Sequence, residues 1–94
     1  MSFGAGSEMT LRIERVQARI RLIGEFRSEY VDQVKAEIEC CRSAVILDLE
    51  ELVLVDVECI RFLNACEANG ISVQRRSAFI REWMLQERAR ANKS

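Results

Sequence analysis

The segment from Ala44 to Leu63, AVILDLEELVLVDVECIRFL, narrows the choice of fold more than any other stretch of this chain. Its first residues, Ala44-Val45-Ile46-Leu47, are apolar without a break, which places a strand over Ala44 to Leu49 in the middle of a sheet. After Asp48 comes a short loop, and a second apolar patch, Leu52 to Val55, ends on Asp56, where a helical pattern opens. A strand that feeds a helix through a carboxylate-bearing loop presents a site at the strand's C-terminal end, as α/β folds do.

The flanking sequence supplies the remaining elements. Leu11 and Ile13 alternate with Arg12 and Glu14, and Ile20 and Leu22 alternate with Arg19 and Arg21. Period-2 alternation on both arms of Gln17-Ala18 predicts a hairpin with one covered and one wet face, its second strand closed by Gly24. Ser28 is the expected N-cap of a helix carrying Tyr30, Val31, Val34, Ile38 and Cys41 on one stripe. Asp56 is the expected cap of a second helix, with Cys59, Ile60, Phe62, Leu63 and Cys66 inward and Asn69-Gly70 as its stop. Ile71-Ser72-Val73 reads as a short strand. Ser77 then caps a last helix in which Phe79 pairs with Trp83 and Ile80 with Met84. The order is β-β-α-β-α-β-α: one α/β domain over residues 9–90, a mixed sheet with helices mainly on one face, and flexible ends at 1–8 and 91–94. Ile46, Leu47, Ile60, Leu63, Val73 and Ile80 are expected to be buried together.

Composition bounds the chemistry. With 94 residues the chain suits one domain, and its net charge of −1 recruits neither nucleic acid nor an acidic membrane. The charge is unevenly placed: residues 1–74 hold 8 basic and 13 acidic groups, net −5, and residues 75–94 hold 6 basic and 2 acidic, net +4. The basic stretch from Arg75 to Lys93 either favours a helix C-terminus or contacts an acidic partner. No run of 18 apolar residues or signal-like leader is present, so the expectation is a cytoplasmic protein without membrane insertion. Four cysteines (Cys40, Cys41, Cys59 and Cys66) lack C-x-x-C spacing, and there is no histidine. They are read as small buried apolar residues in a reduced cytosol, with no metal and no cofactor.

This order and several local patterns resemble the STAS domain, the module of bacterial anti-sigma-factor antagonists and of sulphate-transporter tails. The resemblance covers about Leu11 to Glu87. Gly24-Glu25-Phe26 looks like the family's glycine at the end of the second strand, and Val45-Ile46-Leu47-Asp48-Leu49 like its central strand. Gly70-Ile71-Ser72-Val73 looks like its last helix-to-strand step. Val55-Asp56-Val57-Glu58-Cys59-Ile60 falls where the antagonists carry Asp-Ser-Ser-Gly and an aliphatic residue. There the serine phosphorylated by the partner kinase is replaced by Val57, the next hydroxyl residue by Glu58 and the glycine by Cys59. Between Leu49 and Cys66 there is no Ser, Thr or Tyr. Arg27 stands where many relatives are acidic.

An enzyme is set aside, because a nucleophile needs a base beside it and no histidine is present. No Gly-rich phosphate loop is present either. The resemblance implies a regulatory protein-interaction module without the usual serine switch. Its contact surface would comprise Asp56, Val57, Glu58 and Arg61, with Arg27 as a neighbour. The partner would be an anti-sigma factor, a kinase-like sensor or a transporter component, and a homodimer stays open. Val57 either faces out as an apolar contact or folds into the core, and Glu58 either imitates a phosphoserine's charge or serves as a first-turn charge. The alternative is a STAS-type subunit that binds a small ligand or lipid in a transport complex.

Overall fold

A computed structural model describes residues 11–41 and 44–91; the tail expected over 1–8 lies outside them, as do all residues after Ala91. The elements are β1 (Leu11–Val16), β2 (Arg19–Phe26), a 3₁₀ turn (Ser28–Tyr30), α1 (Val31–Glu39), β3 (Ile46–Val55), α2 (Val57–Ala68), β4 (Ser72–Gln74) and α3 (Ala78–Ala91). The strands form one sheet in the order β1-β2-β3-β4, with β1 antiparallel to β2 and the other neighbours parallel. This is the expected order with the expected antiparallel edge, and the three helices pack on one face of the sheet.

The hairpin closes through Gln17 and Ala18, with Val16 opposite Arg19. Gln17 takes a φ of 57°. A left-handed first turn residue lets a two-residue loop follow the right-handed twist of its strands, a position glycine usually fills. β2 then runs past Gly24 to Phe26, so Gly24 does not close the strand. Its φ of 99° sits beside a shift of register between β2 and β3.

β3 is the main departure from expectation. It has no loop after Leu49 and continues for ten residues to Val55. Its buried apolar residues are Leu47, Leu49, Leu52 and Val55, so the inward step is two residues once and then three twice. A flat strand cannot hold a three-residue step on one face, because side chains alternate. The register shows how the fold solves this: Arg21 and Ile23 oppose Asp48 and Glu51, and Gly24 and Glu25 oppose Leu52 and Leu54. Each shift inserts one extra residue in β3, a β-bulge that restores the inward parity. The register leaves Leu49 and Glu50 facing Leu22 and passes over Val53; Leu49 stays inward and buried, while Glu50 and Val53 are exposed.

The core gathers Ile20, Leu22 and Phe26 from β2, the four inward residues of β3, Val73 from β4, and Val34, Cys59, Ile60, Leu63, Cys66, Ile80 and Met84 from the helices. Each large side chain fully withdrawn from water contributes about 1.5–3 kcal/mol. Ile46, expected in this core, is only partly buried, because it precedes Leu47 and therefore faces the opposite side of the sheet. Cys59 and Cys66 are buried as expected and Cys41 is partly buried, but Cys40, expected to be buried too, is exposed where α1 ends.

Helix ends differ in how they are capped. α2 stops as expected: Gly70, at φ 90°, donates to the Glu67 carbonyl and Ile71 to that of Cys66, the paired bonds of a Schellman cap. Ser28 does not cap α1. It opens the 3₁₀ turn, and α1 begins at Val31 with no side-chain cap. Ser77 does hold the position before α3, its carbonyl accepting from Arg81 N–H at 3.0 Å, but its buried hydroxyl has no hydrogen-bond partner.

Gln17 carries a left-handed cost of ~1–2 kcal/mol that glycine would not, against a smaller entropic loss in the unfolded chain. Gln17→Gly should therefore raise stability by about 0.5–1 kcal/mol in urea unfolding, and Gln17→Val should lower it.

Candidate protein-interaction site

The parallel strands β2 and β3 end side by side, and the chain leaves them through Arg27-Ser28 and through Asp56. Backbone and side chain join the two exits. Asp56 N–H donates to the Phe26 carbonyl at 3.3 Å, and the Cys59 thiol donates to the same oxygen at 3.1 Å. In return the Ser28 N–H donates to Asp56 Oδ2 at 2.9 Å. Asp56 occupies the residue before α2 with extended backbone (φ −93°, ψ 164°), as expected of a cap, yet its carboxylate makes no bond to α2. The expected N-cap is thus a cross-link: the carboxylate turns from α2 to a donor on the neighbouring exit.

The other proposed contact residues surround this junction. Val57 begins α2 and is partly buried, outside the core cluster, so it belongs fully to neither of the two surroundings expected for it. Glu58 is exposed and accepts from Arg61 Nη1 at 3.3 Å. Arg61 Nε also donates to Glu87 Oε1 of α3 at 3.2 Å, and Glu87 is only 8% exposed. One arginine therefore ties α2 to α3 while keeping an exposed edge. Arg27 is exposed but turned away from the junction, its Nε and Nη2 both donating to Glu25 Oε1 at 3.0 and 2.7 Å. That hydrogen bond and the charges of Glu25, Asp56 and Glu29 push the guanidinium pKa up, so it stays charged. The structure thus links Glu58 to Arg61 directly, ties Asp56 to the backbone of Ser28 and Phe26, and leaves Arg27 at the rim.

Sequence reasoning missed three contributors. Ser28, a cap by its side chain, instead holds Asp56 through its backbone N–H. Glu87 anchors Arg61 from 26 residues away, a separation at which no local pattern is visible. Third, a groove of about 450 Å³ opens between α1 and α2 beside the junction, lined by Ser28, Val31, Lys35, Glu58, Arg61 and Phe62.

The basic stretch is largely neutralised in space. Arg75 pairs with Glu50 at 2.6 Å, Arg76 with Glu67 at 3.0 Å, Arg88 with Glu67 at 2.7 Å, and Arg90 with Glu87 at 3.8 Å. Among the described residues there is no group of acidic or cysteine side chains arranged to hold a metal ion, and no helix is long and apolar enough to cross a membrane.

Two measurements probe this junction. Asp56→Ala strips the Ser28 N–H of a charged acceptor and should cost about 1–2 kcal/mol in urea unfolding, whereas Asp56→Asn keeps an oxygen there and should lose less than half of that. Burial pushes the Cys59 thiol up to about 11, the backbone hydrogen bond at Asp56 acting against it and the Asp56 and Glu58 charges adding to it. Burial likewise pushes Cys66 up to about 11. A thiol reagent at pH 8 should therefore label Cys40 and Cys41 quickly in the native protein, and all four cysteines only after unfolding.

No family model matches the sequence, and no curated protein is similar to it. Among solved structures, the chain is similar to the anti-sigma factor antagonist SpoIIAA in its unphosphorylated form. The TM-score is 0.59 at 21% identity, over 83% of this chain and 80% of that one. With the strand order and the one-sided helix layer already described, this likeness establishes that the chain adopts the STAS-like fold.

Proposed function

We propose that this protein is a non-enzymatic regulatory module of the bacterial cytoplasm that binds a protein partner through the corner formed by Asp56, Val57, Glu58 and Arg61, with Arg27 at its rim. The observation that carries the reading is the start of α2. It stands at the C-terminal ends of two parallel strands, and Asp56 locks it to the neighbouring exit through Ser28. A side chain there is held rigidly, which lowers the ordering cost of docking. Val57 adds a partly exposed apolar surface between the two carboxylates, and Arg61 supplies a cation fixed by Glu87. The similarity to an anti-sigma factor antagonist points to a partner of the kinase-like anti-sigma type; a sensor or a transporter component fits the same surface.

Regulation would differ from a serine switch. No hydroxyl lies between Leu49 and Cys66, so a kinase acting on hydroxyls finds no acceptor on the segment that carries Asp56, Val57, Glu58 and Arg61. Glu58 supplies a permanent negative charge at the helix start, smaller than that of a phosphate and with fewer acceptor oxygens. Binding that ATP cannot turn off at this position is the consequence.

The test is a titration with an anti-sigma-type kinase. Val57→Asp and Glu58→Arg should each weaken binding at least about tenfold, the size expected for a central contact, with melting temperature held within a few degrees. Wild-type binding unaffected by both substitutions would place the contact elsewhere. Phosphate recovered on residues 49–66 after incubation with ATP would overturn the absence of the switch.

A further inference from the structure

β1 is an edge strand: among the described residues it pairs with β2 on one side and with no other strand on the other. The two-residue turn makes Val16 and Arg19 a hydrogen-bonded pair, and such pairs recur at every second residue, at Glu14 with Arg21 and Arg12 with Ile23. The N–H and C=O groups of Leu11, Ile13 and Arg15 consequently point away from the sheet. Edge strands with a row of free backbone groups are templates for another strand unless something blocks them.

Charge on the edge normally provides that block, and here its order is what matters. Arg12 and Glu14 flank Ile13 symmetrically, both on the sheet face away from the helices, and they pair with each other along the strand at 2.9 Å. We propose that two copies of the chain pair through β1, antiparallel about a twofold axis at Ile13, to continue the sheet across both molecules. In that register the outward groups of Ile13 meet those of Ile13 in the other copy, and Leu11 meets Arg15. About six backbone hydrogen bonds form. The intervening positions are the non-hydrogen-bonded ones, where side chains approach most closely. Arg12 lies there opposite Glu14 of the second copy, twice by symmetry.

Neighbouring registers fail. Moving the pairing by one step sets outward backbone groups against inward ones. Moving it by two sets Arg12 against Arg12, or Glu14 against Glu14, and like charges directly opposite are destabilising. Only the Ile13-centred register satisfies backbone and charge together. Ile13, partly buried and packed at the margin of the core, gains a β-branched neighbour on the helix-covered face. The self-pairing edge is the outer side of β1, separated by β2 from the β3 strand that leads to Asp56, so the proposal stands or falls independently of the contact surface.

Sedimentation equilibrium of the full chain tests the proposal. Wild type should show a reversible dimer on raising the concentration to about 1 mM, the weak end of specific association. Arg12→Glu and Glu14→Arg should each raise the dissociation constant at least about tenfold, because each puts like charges opposite at two places. The double variant, with both charges exchanged, should recover most of the loss. Glu14→Arg also faces Arg21 within the sheet, so melting curves accompany each variant; Arg12→Glu, whose neighbour across the hairpin is Ile23, is the cleaner single change. In a mixture of isotope-labelled and unlabelled wild type, NMR should show Arg12 Hα close to Glu14 Hα of the other copy. A wild type that stays monomeric, single variants that dimerise as well as wild type, a double variant that does not recover, or the absence of that intermolecular contact in a dimer would each overturn the proposal.

Discussion

β3 has to hold four apolar side chains on one face of the sheet over ten residues in which they are not evenly spaced, and the two bulges that reconcile this govern much of the rest. The first bulge is pinned by Asp48. Its Oδ1 accepts the Glu50 N–H at 3.1 Å and its Oδ2 pairs with Arg19 Nη1 on β2 at 3.0 Å. Asp48 is only 1% exposed, on the face opposite the helices, so this charge is buried and satisfied by a backbone donor and a cation. A hydrophobic residue there could not hold the bulge. With the strand's parity restored, Val55 faces the core and Asp56 emerges where β2 also ends, within reach of Ser28.

That geometry connects fold to function. The corner where two parallel strands finish is rigid because each exit satisfies polar groups of the other, and α2 begins from it without further backbone freedom. Arg61 extends the same order to α3 through Glu87. The surface proposed for a partner is thus assembled from three separate chain segments. Glu58, with Arg61 one turn away, and Arg27, with Glu25 two residues away, are held locally, whereas Asp56 and Arg61 are tied to Ser28 and Glu87, distant in the sequence.

Electrostatics follow the same pattern. An acidic body and a basic C-terminal stretch look in sequence like a segregated dipole. In the folded chain Arg75, Arg76, Arg88 and Arg90 lie against Glu50, Glu67 and Glu87. Exposed pairs of this kind contribute little stability individually, and their main effect is to remove a uniform basic face. Glu87 stands apart because it is nearly enclosed, and a buried carboxylate needs its partners, here Arg61 at 3.2 Å and Arg90 at 3.8 Å.

Local periodicity, which depends only on side-chain polarity and backbone repeat, determined the order of strands and helices, the hairpin, the inward stripe of α2 and the Gly70 stop. That order, together with local patterns resembling the STAS domain, made the fold legible, and the resemblance alone made the loss of hydroxyl residues around Val57 meaningful. Interactions between distant residues decided the rest. The apparent break at Glu50-Glu51 is a bulge because β2 supplies a register for it, and Ile46 turns outward because pairing sets the strand's parity. Ser28 and Asp56 show the limit most directly. Both carry side chains that favour caps, and each is placed near a helix start, yet the bond that forms runs between them. A free N–H brought within 2.9 Å by the sheet competes for the Asp56 carboxylate, and no pattern in the sequence records that approach.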